Sequence, residues 1–211
     1  MKKNKFNIIA CLVLLISIIC MFCGISLAIF SYFGDGMTNN VIQTGKVVFS
    51  YSDANGGGNG INIENAIPIS DEQGKILSGE GEYFDFSVSA STTNTDLTYE
   101  ITVLKDNLST LPDQYVKIYL TAFDGNTEIN TPLTTVNNNI VTYDELKDTN
   151  NSTNTGKTVY YGTVKAGEVA YGQKFRLRMW VKIPEENNFD YSILENKIFS
   201  LKVNVSASSI Y

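Results

Sequence analysis

The chain has 211 residues, with 16 basic and 22 acidic side chains, three cysteines and no histidine. Without an imidazole it cannot build Ser–His–Asp or Cys–His nucleophile systems, nor a zinc site that uses histidine. The acidic balance argues against nucleic acid as a partner, and against anionic lipid headgroups held by bulk charge.

Lys2, Lys3 and Lys5 stand before an uncharged run from Phe6 to Gly34. The run is longer than the roughly 20 residues a helix needs to cross a bilayer. Charged groups are expensive in hydrocarbon, so their absence marks membrane passage. The lysines favour a cytoplasmic N-terminus, which places the rest of the chain outside. Two readings of residues 1–28 follow. As a signal-anchor transmembrane helix, the segment keeps the chain in the cell membrane with an extracellular C-terminal domain. As a signal peptide, it has an apolar core from Ile8 to Phe22, and Ser26 and Ala28 are small residues at signal-peptidase spacing. Cleavage after Ala28 would release the protein to the cell surface or matrix.

Cys11, Cys20 and Cys23 all lie in this run, where they read as buried thiols of an apolar helix. The residues beyond Ala28 carry 13 basic against 22 acidic side chains, a net charge of −9, and no cysteine. An exported domain without disulfides is stabilised by packing alone and fits a bacterial surface.

Residues 29–45 read as a connecting segment. Within it, Ile29, Phe30, Ser31, Tyr32 and Phe33 form a short apolar strand. Freed by cleavage, this strand could be donated to the open sheet edge of a neighbouring molecule. Left uncleaved, its aromatics would sit at the outer membrane interface.

Residues 46–211 read as one β-rich domain. Lys46–Tyr51 opens the strand pattern, and Asp53–Gly60 follows as a glycine-rich loop. Ile61–Ile69 is apolar but contains Pro68, which marks an edge strand or an extended crossing. Ser70–Glu82 reads as a loop. The clear period-two segments are Tyr83–Ala90, Leu97–Val103 and Tyr115–Ala122. Their predicted inward faces are Phe84, Phe86, Val88 and Ala90, then Leu97, Tyr99, Ile101 and Val103, then Val116, Ile118, Leu120 and Ala122.

Residues 124–157 interrupt the pattern. In that stretch, Thr142–Lys147 has capping-box spacing and predicts one helical turn. Lys157–Val164 alternates least regularly. Lys174–Ile183 alternates most cleanly, with Phe175, Leu177, Met179, Val181 and Ile183 inward. Lys197–Ala207 repeats it with Phe199, Leu201, Val203, Val205 and Ala207. The expected fold is all-β: an antiparallel β-sandwich, jelly-roll or immunoglobulin-like, preceded by one N-terminal membrane-spanning or signal helix.

The junction runs Ala28-Ile29-Phe30-Ser31, and Asn40-Val41-Ile42-Gln43-Thr44-Gly45-Lys46-Val47 leads into the first strand. This resembles the start of the bacterial TasA/camelysin family, in which an aromatic and a serine follow the signal's final alanine. The resemblance implies export, a jelly-roll-like β-sandwich, association with biofilm matrix fibres or the cell surface, and cleavage after Ala28.

Three further sets of residues invite a site. The outer face of Lys174–Lys182 gathers Lys174, Arg176, Arg178, Trp180 and Lys182. It reads either as a docking stripe for a glycan, an anionic wall polymer or an acidic neighbour, or as a solvated strand face. Asp53 with Asn55 and Asn59, or Asp71 with Glu72, offers oxygen atoms to calcium, but neither set has a full calcium-loop spacing, and polar turns are the favoured reading. Carboxylates are plentiful, yet no spacing singles out a glycosidase pair. No catalytic, metal or cofactor site is expected. The expected function is a non-enzymatic surface or matrix protein that self-associates. A glycan or wall-polymer binding module is the alternative, and a carboxylate-dependent hydrolase ranks third.

Overall fold

The alternating segments form two antiparallel sheets whose apolar faces meet. In the computed structural model the described residues are 30–32, 40–44, 47–53, 60–65, 67–79, 81–136, 138–149, 156–168 and 171–209. The N-terminal segment expected to cross or leave the membrane lies outside them, except Phe30–Tyr32. Among the described residues no helix is long and apolar enough to span a bilayer. The chain divides into two units, Met1–Phe30 and Ser31–Tyr211.

The first sheet runs β1 (Phe30–Tyr32), β13 (Ile198–Ser209), β6 (Leu97–Lys105), β11 (Lys157–Val164), β10 (Lys147–Asp148), with β4 (Gly60–Glu64) also paired to β13. The second runs β2 (Asn40–Thr44), β3 (Val47–Asp53), β5 (Tyr83–Thr92), β12 (Tyr171–Val181), β7 (Val116–Asp124), β8 (Thr127–Ile129), with β9 (Val141–Thr142) also on β7. The architecture is therefore an all-β sandwich, as the strand periodicity requires.

The core is the inward set of the five clean strands. Phe86, Val88, Val116, Ile118, Leu120 and Phe199 are fully buried, and Phe84, Leu97, Ile101, Val103, Phe175, Leu177, Val203 and Val205 nearly so. Phe86 stacks on Phe175 at 5.4 Å between ring centroids, joining β5 to β12 in the register Phe175↔Phe86. One expected inward residue is not in the core. Ile183 is 50% exposed, because β12 ends at Val181 and Pro184 follows directly after Ile183.

Two local features differ from the sequence reading. Ser70–Glu82 is not all loop: it holds a short helix, α1 (Asp71–Lys75), closed by a reciprocal capping box between Ser70 and Gln73. Segment 29–45, read as a connection with a short strand at Ile29–Phe33, holds a second strand besides β1, namely β2. Elsewhere the local signals match. Thr142 caps a 3-10 turn, Tyr143–Glu145, through the expected box with Glu145. β4 stops at Glu64, before Pro68, and among the described residues pairs only with β13.

Candidate functional site

Strand β12 places Lys174, Arg176, Arg178 and Trp180 on the face turned away from the core, as alternation demands. That face is covered. Helix α1 sits on Trp180, and the chain at Leu77 and strand β8 lie across the arginines. Trp180 is 2% exposed and Arg178 is 4% exposed.

The basic groups are satisfied inside the chain. Arg176 grips Asp85 through two hydrogen bonds, Nε to Oδ1 at 2.6 Å and Nη2 to Oδ2 at 2.8 Å. Lys174 reaches the same carboxylate at 3.1 Å and lies over the Phe123 ring. Arg178 donates from both terminal nitrogens to Glu128, with Nη2 to Oε2 at 2.9 Å, and its Nε donates to the Leu77 carbonyl at 2.7 Å. Arg176 Nη1 also reaches Glu128, at 3.3 Å, and the Thr121 hydroxyl donates to Glu128 at 2.6 Å. The Trp180 indole N–H donates to Asp71 at 3.3 Å. These are bidentate, charge-assisted contacts in a largely water-excluded layer, and they hold β12 to β5 and β8.

The carboxylates register this setting. Burial pushes the pKa of Asp85 up, but hydrogen bonds from Arg176 and Lys174 outweigh it and leave the group below its ordinary value. Burial likewise raises Glu128, and Arg178 and Thr121 reverse the shift. The stripe expected as a docking face is thus mostly an internal ion-pair layer. A docking role would rest on Lys174, whose side chain is 40% exposed, and on the half-buried Lys182, which lies over the Tyr115 ring.

The remaining predicted residues fall as follows. Asp71 and Glu72 occupy the first turn of α1, and Asp71 is the acceptor for Trp180. Asp53 closes β3, while Asn55 and Asn59 lie outside the described residues. Among the described residues no group of three or more acidic or sulfur side chains could hold a metal ion. Ser26, Ala28, Ile29 and Phe33 lie outside the described residues, and Phe30, Ser31 and Tyr32 form β1.

Sequence reading missed an open groove of about 600 Å³ along β11, lined by Tyr160 and Tyr161 among others. The available signal was the broken alternation of Lys157–Val164, which the structure shows as a register shift between Thr158 and Tyr160.

No family model matches the chain, and no curated protein matches it. Among solved structures it is similar to a β-glucosidase from Kluyveromyces marxianus, with 9% identity and a TM-score of 0.26 over 85% of this chain. That alignment spans only 20% of the yeast protein. It is also similar to the K1 cleaved adhesin domain of Lys-gingipain from Porphyromonas gingivalis, with 10% identity and a TM-score of 0.25 over 86% of this chain and 99% of that one. At such scores neither likeness bears on function.

Proposed function

We propose that this chain is a non-enzymatic exported protein of the cell surface or extracellular matrix, brought to the membrane by its N-terminal segment and able to self-assemble by strand addition. The observation that carries the reading is the edge of β13. Strand β4 pairs with Ile198–Lys202 only, and β1, the very segment read as a donor strand, stands beside the same twelve-residue strand. A short strand that completes a sheet in its own chain can complete the same edge in a neighbour.

Two further points support this. The strand order favours a jelly roll over an immunoglobulin-like sandwich: β4, β5, β6 and β7 alternate between the sheets, and β11, β12 and β13 alternate again, which sets β4-β13-β6-β11 against β5-β12-β7-β8. The likeness of the 28–47 segment to the TasA/camelysin family points the same way. The non-enzymatic part of the reading rests on the buried and half-buried carboxylates: Asp85 and Glu128 are paired with arginines, and Glu100 accepts hydrogen bonds from Thr149 and Thr158.

The test is the N-terminal residue and assembly state of the natively expressed protein. An N-terminus at Ile29 in the medium, with fibres that disappear when Ile29–Phe33 is deleted, supports the proposal. An intact Met1 chain that stays monomeric in the membrane fraction overturns the assembly reading and leaves a tethered surface domain.

A further inference from the structure

The groove on β11 is built by a fault in the strand. Val159 and Tyr160 both turn toward the core side, Val159 fully buried, where the register slips against β6. Such a bulge re-aims the side chains that follow it. Tyr161 emerges on the outer face, opposite Glu100 in register and 47% exposed.

The far wall is built by Thr134, Thr135 and Asn138, and Thr135 is pinned to the bulge. The Thr135 amide donates to the Val159 carbonyl at 2.8 Å, and its hydroxyl to the Thr158 carbonyl at 3.2 Å. The Thr134 hydroxyl donates to the Asn139 carbonyl at 2.6 Å and closes the loop. Asn138, exposed at the rim, holds a left-handed backbone with φ 52°. Strand β10 completes the rim with the exposed pair Lys147 and Asp148.

We propose that this groove binds a neutral oligosaccharide, with the Tyr161 ring as its stacking platform and Asn138, Thr135 and Asp148 bonding to sugar hydroxyls. The volume lies in the range of small-ligand clefts. The lining sets hydroxyl, amide and charged groups beside the exposed Tyr161 ring, while the Tyr160 ring packs inward on Tyr99 and Phe175. The rim carries Lys147 and Asp148, the latter paired with Lys157 at 3.4 Å, on a domain of net charge −9, which disfavours a polyanion. A sugar ring has an apolar C–H face and a hydroxyl edge, and a tyrosine flanked by amide and carboxylate groups complements both. The site is separate from the β13 edge, so the inference does not depend on whether the chain assembles.

The test titrates the full-length chain in detergent with cellohexaose, chitohexaose and maltohexaose by calorimetry. Binding of at least one is expected, weakened about tenfold or more by Tyr161→Ala and retained in Tyr161→Phe, which keeps the ring. Asn138→Ala should weaken it as well, while Glu186→Ala, exposed and outside the groove lining, should not. Thermal melting confirms that each variant is folded. Binding of none of the three at millimolar concentration overturns the proposal. So does binding that survives both Tyr161→Ala and Asn138→Ala. Concentration-dependent self-association that Tyr161→Ala abolishes, without saccharide binding, would make the groove a contact between copies and also overturn it.

Discussion

Gly74 lies so close to Trp180 that a Cβ built on it would fall 2.2 Å from the indole Cδ2. The absence of one side chain is what lets α1 close over the outer face of β12 and turn a strand face into an interior. Gly74→Ala should therefore destabilise the protein by about 1–3 kcal/mol through overpacking, despite the gain in helix propensity. Urea denaturation measures it, and an unchanged or higher midpoint would show that α1 does not seat on Trp180.

Glu128 holds Arg178, whose side chain is 4% exposed, and shares Arg176. Glu128→Ala leaves the buried Arg178 guanidinium, among the described residues, with only the Leu77 carbonyl, while Arg176 keeps Asp85, and should cost about 3–5 kcal/mol. Replacing the pair together, Glu128→Leu with Arg178→Met, should recover most of that loss, because no unpaired charge remains. A double-mutant cycle in denaturant reads both numbers. A double variant no better than Glu128→Ala alone would mean that the pair's geometry, not its charge balance, holds β8 in place.

Acid should loosen the same layer. Asp85 and Glu128 are both more acidic in the folded chain than in the unfolded one. Their contribution is therefore complete above the unfolded values of about 4 and is lost as pH falls through the folded values. Melting temperatures from pH 6 downward should drop steeply below about pH 4. The combined Asp85→Asn and Glu128→Gln variant should be less stable at pH 6 and flatter in acid. An acid slope equal to that of the wild type would assign the transition to other carboxylates.

Tyr99 and Tyr119 are both buried tyrosines with opposite prospects. The Tyr99 hydroxyl shares a 2.8 Å hydrogen bond with that of Tyr171, whereas the Tyr119 hydroxyl has no hydrogen-bond partner among the described residues. Tyr171→Phe leaves the Tyr99 hydroxyl buried and unpaired, and should cost about 1–3 kcal/mol. Tyr119→Phe removes a desolvated group and should be neutral or stabilising. Thermal and urea melts of the two variants give the comparison directly, and equal losses would contradict it.

Much of the sandwich was legible in the residue order, since alternation along a strand is local. Phe84, Phe86 and Val88, or Leu201, Val203 and Val205, can face only one way once the strand forms. Thr142 and Glu145 announced their turn by spacing alone. The box at Ser70 and Gln73 has the same spacing, set among glycines that resemble a loop.

Periodicity by itself determined which strand faces are apolar, and charge and composition bounded the chemistry by leaving out histidine altogether. Only the tertiary structure decided what covers the second face of β12. The partners of Arg176, Arg178 and Trp180 come from Asp71, Leu77, Asp85 and Glu128, distant in the chain, and no local pattern encodes their meeting. The groove at Tyr161 has the same origin: a slip between two strands is a property of their pairing, and pairing exists only once the chain has folded.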